Sequence, residues 1–262
     1  MRIAAGVEYQ GAGYAGWQRQ AHAPSVQAQV ERALSRVADH EVTVQCAGRT
    51  DSGVHAQGQV IHFDAVAQRS ERSWLLGGNT HLPDDIALRW VRIVPETFHA
   101  RFSAAERRYR YVILNRPNRS ALLAGRVALV RQPLDVAVMH RALAPLLGEH
   151  DFSSFRAQGC QARHPNRCVL HAAASREGDL IYIDIHANAF LHHMVRNIVG
   201  SVLEVGRGAR PETWLAELLA LRDRRQAGVT APAAGLYLVD VIYPGDFGLP
   251  VGPSPIGFAS GT

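Results

Sequence analysis

Apolar and polar residues alternate in some short segments of the chain, and other short segments are rich in β-forming residues. Each such segment predicts a β-strand. The predicted strands cover Arg2–Tyr9, Val42–Cys46, Gln59–Phe63, Ile86–Val94, Arg107–Leu114, Val169–Ser175, Leu180–Ala187 and Leu236–Tyr243. The turn residues Glu177–Asp179 separate two of these segments, which are therefore predicted to pair as a hairpin.

Other segments repeat their apolar residues every three or four positions, which is typical of helices packed on one face. Five helices are predicted. The first begins at Ser25, the second covers Ser70–Leu76, and the third begins at an Asp135 cap and ends near Pro145. The fourth runs from an Asn188 cap to Gly206, and the fifth begins at Pro211. Each half of the chain thus mixes strands with packed helices, which predicts an α+β protein.

The similar make-up of the two halves predicts two domains. We place the first at residues 1–104 and the second at 105–245. Residues 246–262 are rich in Gly, Pro and Ser and are predicted to form a mobile tail.

The basic residues are all arginine. The chain has 28 Lys+Arg residues, none of them lysine, and a net charge of +5. This excludes a Schiff-base lysine and a P-loop lysine. Arginine binds phosphate with two parallel hydrogen bonds, so a nucleic-acid partner fits this composition. A bias toward arginine explains the missing lysines equally well, although not the positive net charge.

The three cysteines form no CxxC pair, which argues against a disulfide framework or a zinc site and indicates a reducing cytoplasm. Neither a secretory signal nor an apolar run long enough to span a membrane is found in the sequence.

Gly11–Gly16 matches the GxGxxG pattern of dinucleotide-binding proteins. In those proteins a helix opens within the glycines and points its N-terminus at the pyrophosphate. Here the predicted helix begins only after Ser25, so we reject that interpretation. A flexible loop that contacts RNA backbone is the hypothesis that we favour.

A second glycine-bracketed segment, Gly48–His55, reads Gly-Arg-Thr-Asp-Ser-Gly-Val-His and lies between two predicted strands. Glycine allows sharp bends and close approach of a ligand, so the segment can present Asp51 beside the charge of Arg49. Asp next to Gly is also ordinary turn chemistry. The spacing alone leaves a plain turn and a functional carboxylate both open.

This segment resembles the catalytic loop of the TruA-type tRNA pseudouridine synthases. Five more segments resemble motifs of the same family in the same order, namely Tyr14–Gln20, Phe98–Ser103, Arg107–Tyr111, Asn188–Gly200 and Gly235–Leu238. Two positions depart from the family pattern. Ser52 replaces an alanine, and Gln10 stands where Tyr-Asp-Gly is common.

The resemblance implies an intramolecular isomerase that converts uridines at positions 38–40 of the tRNA anticodon arm to pseudouridine, without a cofactor. It implies two similar α+β domains that share a mostly antiparallel mixed sheet, and a homodimer. It assigns catalysis to Asp51, a salt bridge with that carboxylate to Arg196, and stacking on the target base to Tyr109. Arg49 is expected to enter the RNA or to fill the space that the base leaves.

Two other functions stay open at this point. The first is an RNA-binding or tRNA-folding protein without catalysis, and the second is a pseudouridine synthase with other RNA targets. We predict no metal site, because His192 and His193 are adjacent in a predicted helix and would point about 100° apart.

Overall fold

A computed structural model describes residues 1–252 and 257 of the chain. The chain divides into two compact units. Among residues 1–252, the first unit combines Met1–Glu106 with residues 237–252, and the second comprises Arg107–Leu236. Most of the predicted tail, 253–256 and 258–262, lies outside the described residues.

The described chain contains both strands and helices. The strands are β1 (Arg2–Tyr9), β2 (Gln45–Cys46), β3 (His55–Asp64), β4 (Ile86–Val94), β5 (Glu106–Asn115), β6 (Ala128–Val130), β7 (Gly148–Asp151), β8 (Asn166–Glu177), β9 (Leu180–Ala187) and β10 (Leu236–Ile242). The helices are α1 (Val26–Ala38), α2 (Glu71–His81), α3 (Val136–Leu143), α4 (Met194–Gly206) and α5 (Trp214–Leu221). No helix in residues 1–252 combines the length and the apolar character that crossing a membrane requires.

Strand pairing is mostly antiparallel in each unit. In the first unit the strand order is β4-β1-β3-β10, with β2 also on β3, and only the β3–β10 pair is parallel. In the second unit the order is β5-β9-β8-β7, and the short strand β6 lies parallel to β5. The α+β class with a mostly antiparallel mixed sheet is therefore confirmed.

Several predicted boundaries are confirmed because local signals and packing agree there. Strands β1 and β4 begin and end at the predicted residues. Ser25 accepts a hydrogen bond from Ala28 N at the start of α1, and Asp135 accepts from Ala137 N and Val138 N at the start of α3.

The predicted strand Val42–Cys46 is mostly wrong, since only Gln45 and Cys46 pair with β3. The alternation in this segment is nevertheless real, because Val42 and Val44 are both buried. Their backbone N–H groups donate to side chains of α1, Val42 N to Ser35 Oγ at 2.9 Å and Val44 N to Glu31 Oε1 at 3.1 Å. Helix side chains thus replace the strand neighbour that the pattern suggested.

The long helix of the second unit begins later than predicted. Asn188 is not its cap, because α4 starts at Met194 after His193 in a left-handed conformation with φ 60°. Asn188 instead exchanges two hydrogen bonds with the backbone of Cys168 at the end of the hairpin, both of 3.1 Å. The family motif Asn188–Gly200 is therefore half loop and half helix.

Helix α2 is longer than predicted, since it continues through Gly77 and Gly78 to His81. Glycine disfavours helices, and the sequence therefore suggested an early end. Close packing explains the two glycines. A methyl group on Gly78 would lie 2.5 Å from the Leu88 side chain, and one on Gly77 would lie 3.0 Å from Val37.

Candidate active site

The candidate catalytic carboxylate belongs to the first unit. Asp51 lies in the segment Gly48–His55, here called the Asp51 loop, which ends where β3 begins. The Asp51 residue is half-buried, Arg49 is exposed, and Thr50 is buried between them. The loop therefore buries its centre while leaving one cation exposed and the carboxylate partly accessible.

Hydrogen bonds fix both ends of the Asp51 loop. At its start, the Gln59 side chain donates to Gly48 O at 2.6 Å and accepts from Gly48 N at 3.4 Å. At its end, His55 Nδ1 accepts from Gly11 N at 3.1 Å, and its ring stacks on Tyr237 at 4.6 Å. The turn itself closes between Asp51 O and Val54 N at 3.1 Å.

The glycine loop, Gly11–Gly16, packs against the Asp51 loop. A methyl group on Gly11 would lie 1.9 Å from Val54 O, and one on Gly16 would lie 2.7 Å from Thr50 O. Gly16 also has φ 101°, a conformation that favours glycine. Gly13, in contrast, has nothing within 4 Å. Two of the three glycines thus allow the backbones of the two loops to approach each other closely.

Tyr14 connects the two loops. Its carbonyl oxygen accepts from Gly53 N at 3.3 Å and from Ser52 Oγ at 3.2 Å. Its hydroxyl donates to Asp85 Oδ1 at 2.7 Å, and burial together with this bond raises the pKa of Tyr14. The serine that departs from the family pattern therefore adds a hydrogen bond between the loops. These contacts join the glycine loop to the Asp51 loop, and the expected contact of the glycine loop with RNA stays a prediction.

The aromatic and cationic candidates belong to the second unit. Tyr109 lies on β5, half-buried, and its ring meets Phe190 edge-on at 4.9 Å. Arg196 lies in the first turn of α4, and its Nε donates to Ala231 O at 2.8 Å. In return, Ala231 N donates to Arg196 O at 3.1 Å. These two hydrogen bonds hold both the Nε atom and the backbone of Arg196 against Ala231.

One loop segment positions both strand and helix in this part of the second unit. Next to Ala231, Pro232 O accepts from the Tyr111 hydroxyl at 2.7 Å. Burial raises the pKa of Tyr111, and the nearby Arg196 charge opposes that rise. Residues 231–232 therefore connect β5, through Tyr111, with α4, through Arg196. Tyr109 lies on the same face of β5 as Tyr111.

The histidine pair does not lie on a helix, so the geometric reason given against a metal site is wrong. His192 and His193 precede α4, and their rings lie 4.0 Å apart at an angle of 40°. The left-handed conformation of His193 turns the two side chains toward each other. The sequence carries at most a weak signal for this, since histidine is only one of several residue types that are enriched at positive φ.

Sequence analysis assigned no role to several residues that hold the candidates in place, although Tyr14 and Phe190 lie within the family motifs. Phe190, Gln59, Tyr14 and Ala231 carry no chemistry of their own, and three of the four lie far along the chain from the groups they hold. Only the aromatic character of Phe190 could have indicated a role beside Tyr109.

Comparison with known proteins gives a consistent result over nearly the whole chain. A family model described as tRNA pseudouridine synthase matches residues 5–103 and 142–244. A tRNA pseudouridine synthase A of Aeromonas salmonicida is 62% identical over 95% of this chain and 93% of its own length. Those of Hydrogenovibrio crunogenus and Escherichia fergusonii are 59% and 57% identical, over 95% and 96% of this chain and 95% and 93% of their own lengths.

One solved structure shows a much more distant likeness. A chain of the "Crystal Structure of a Cbf5-Nop10-Gar1 Complex" matches 77% of this chain and 45% of its own length, with 12% identity and a TM-score of 0.35. The sequence comparisons place the chain in a class of RNA-modifying isomerases. It belongs to the tRNA pseudouridine synthase family, and the resemblance seen in the motifs is confirmed.

Proposed function

We propose that this protein converts uridines in the anticodon arm of tRNA, at positions 38–40, to pseudouridine, and that Asp51 is its catalytic residue. The observation that carries the proposal is family membership along nearly the whole chain, with the Gly-Arg-Thr-Asp segment intact. The rigid support of the Asp51 loop agrees with a group that must meet its substrate in one orientation.

The reaction is an isomerisation within one nucleotide. The N1–C1′ bond of uridine breaks, the base turns, and C5 bonds to C1′. The proton lost from C5 is balanced by one gained at N1, so no oxidant, phosphate donor or cofactor is required. A carboxylate is ionised at neutral pH and acts as a nucleophile or charge stabiliser without a helper base. Attack of Asp51 at C1′, attack at C6, and assistance of a glycal-type elimination all satisfy this balance.

The other candidates have supporting roles in this proposal. Arg196 is the ionic partner that keeps the Asp51 carboxylate charged and oriented once the bound base excludes water. Its fixed Nε, bonded to Ala231 O, supports such a role. Tyr109 stacks on the flipped uracil and offsets part of the cost of unstacking it. Arg49 is exposed and enters the RNA or the space that the base leaves.

The substrate and setting complete the proposal. The partner is tRNA, contacted by the arginine-rich surface, and the protein acts as a homodimer in the cytoplasm. Three free cysteines agree with a reducing compartment. The homodimer and the choice of uridines rest on the family resemblance alone.

The test compares Asp51→Asn with Asp39→Asn. Asp39 is exposed and has φ 58°, a conformation that asparagine also adopts, so the control removes one carboxylate without strain. We expect Asp51→Asn to form no pseudouridine while still folding and binding tRNA, and Asp39→Asn to retain the wild-type rate. Turnover by Asp51→Asn at a tenth of the wild-type rate would refute the assignment.

A second arm separates the proposed function from its alternatives. Pseudouridine is mapped in tRNA from cells with and without this protein. Loss at positions 38–40 supports the proposal, loss at other positions indicates a synthase with different targets, and no loss with retained tRNA binding indicates a protein that only binds RNA.

A further inference from the structure

The first unit contains a cavity of about 570 Å³ that includes no residue of the Asp51 loop. It lies over strands β1, β3, β4 and β10 and is bounded on one side by the chain after β10. Its walls combine one indole, two guanidiniums, the carboxylate of Asp240 and several apolar side chains, with Gly6, Val60, Arg89, Trp90, Arg92 and Leu249 among the lining residues. A volume of this order is usual for a site that takes a small molecule, since such pockets measure about 300–1,000 Å³.

A β-bulge turns Trp90 toward this cavity. The register between β1 and β4 shifts so that Val7 pairs with Leu88 and Gly6 with Trp90, which leaves Arg89 as an extra residue. Leu88 contacts Gly78 of α2, whereas Trp90 lies across Gly6. Bulges commonly reorient a side chain at functional positions, and the shift here places an aromatic residue on the side away from the helices.

The indole lies flat against the backbone of β1. A methyl group on Gly6 would lie 2.2 Å from Trp90 Nε1 and 2.5 Å from Cε2, so only glycine permits this contact. Gly6 covers one side of the ring, and the half-buried indole also lines the cavity. This is the arrangement of a stacking platform for a planar ligand.

Two arginines line the same cavity. Arg89 lies 3.6 Å from Glu8 and donates to Gln57 O at 3.1 Å, and Arg92 donates to Glu71 Oε2 at 2.8 Å. Their side chains are 34% and 46% exposed, so these ion pairs are weak and the guanidiniums can bind a further anion.

The chain after β10, which forms one wall of the cavity, is held in place by specific contacts. The Tyr243 hydroxyl donates to Ala100 O at 2.6 Å, and the rings of Tyr243 and Phe247 each lie 5.1 Å from that of the buried Phe98. The segment then reaches Gly252, where a methyl group would lie 2.1 Å from the Asp240 carboxylate. The cavity therefore has fixed walls on both sides.

We propose that this cavity binds a nucleotide, with the base stacked on Trp90 and the phosphate bound by Arg89 and Arg92. A flat ring with an attached phosphate matches an aromatic platform next to two planar cations, because guanidinium binds phosphate with paired hydrogen bonds. A free nucleotide and one nucleotide of single-stranded RNA share this chemistry. The inference goes beyond the proposed isomerisation and does not depend on it.

The cavity also touches the support of the Asp51 loop. Gln59 is among its lining residues, and the side chain of Gln59 forms the two hydrogen bonds with Gly48. A ligand in the cavity would therefore lie next to Gln59, the residue that fixes the start of the Asp51 loop.

The test measures binding of AMP, UMP and short single-stranded oligonucleotides to the full chain by titration calorimetry at low salt. We expect saturable binding that weakens at least tenfold in Arg89→Gln/Arg92→Gln and in Trp90→Leu. The matched control Arg36→Gln/Arg72→Gln removes the same charge from exposed positions on α1 and α2 and should bind as wild type.

The arms give distinct outcomes. Asp51→Asn should retain nucleotide binding, because the cavity excludes the Asp51 loop. Tighter binding of the oligonucleotide identifies RNA as the source, and binding of mononucleotide alone identifies a free nucleotide. Binding that the arginine pair variant leaves unchanged, binding lost in Asp51→Asn, or no saturation at millimolar nucleotide overturns the proposal. If Trp90→Leu fails to fold, the Arg89→Gln/Arg92→Gln variant still tests the proposal.

Discussion

At the scale of single residues, Arg196 shows how a backbone contact can restrict a side chain. Its Nε is bonded to Ala231 O, which fixes the plane of the guanidinium. Lysine keeps the charge but has neither that planar donor nor the two-bond geometry. We expect Arg196→Lys to slow pseudouridine formation about tenfold to a hundredfold, because a hydrogen bond to a charged group contributes about 1.5–3 kcal/mol.

Single-turnover rates on tRNA check this expectation, with Arg36→Lys on the exposed side of α1 as the matched control. Arg196→Met should be slower again than Arg196→Lys. Rates for both variants close to wild type would show that Arg196 is an ordinary helix-surface arginine.

The role proposed for Tyr109 depends on its aromatic ring, whereas that of Arg196 depends on its charge. If the ring stacks on uracil, Tyr109→Phe keeps the interaction and should retain most of the activity. Tyr109→Leu should lose about tenfold to a hundredfold, because stacking of a base on an aromatic side chain contributes about 1–3 kcal/mol. The same rate assay compares the two variants. Equal loss in Phe and Leu would assign a chemical role to the hydroxyl and contradict the stacking role.

At the scale of elements, the packing of the glycine loop on the Asp51 loop can be tested with two similar substitutions. Gly11→Ala places a methyl group 1.9 Å from Val54 O, whereas Gly13→Ala meets nothing within 4 Å. We expect Gly11→Ala to lower the free energy of unfolding by about 1–3 kcal/mol, the usual cost of overpacking, and to reduce activity by displacing the Asp51 loop. Urea unfolding and the rate assay measure both effects.

Gly13→Ala is the control, and it should change neither quantity. If the two variants behave alike, the close contact between the loops has no role in placing Asp51.

At the scale of the whole molecule, one buried histidine makes stability depend on pH. Burial, together with the charges of His99 and Arg2, lowers the pKa of His62 from 6.5 to about 4. Its Nδ1 accepts from Ala100 N at 3.1 Å, which requires the neutral ring. Between these two values the unfolded chain binds a proton that the folded chain does not, so acidification favours unfolding.

We expect the free energy of unfolding to be unaffected by this group above pH 6.5 and to fall by up to about 3 kcal/mol as the pH is lowered to 4. Urea titrations across that range, compared between wild type, His62→Gln and the exposed His81→Gln, measure it. The slope should flatten in His62→Gln alone. An unchanged slope in that variant would assign the acid sensitivity to other groups.

Sequence patterns were sufficient where local signals and burial coincide. Strands β1 and β4, the caps Ser25 and Asp135, and the hairpin of β8 and β9 follow from alternation and turn residues. Sequence patterns were misleading where groups distant along the chain form the hydrogen bonds of a segment. The N–H groups of Val42 and Val44 bond to α1, and Asn188 bonds to Cys168 rather than capping a helix.

The sequence by itself determined the family of this protein and the residue types available for its chemistry, because motifs such as Gly48–His55 are contiguous. Only the tertiary structure decided what supports them. The contact of Gly11 with Val54, the hydrogen bonds of Arg196 with Ala231, and the reorientation of Trp90 by a bulge join residues that are distant along the chain or depend on strand register. Such contacts follow from the packing of whole elements, and no local pattern records them.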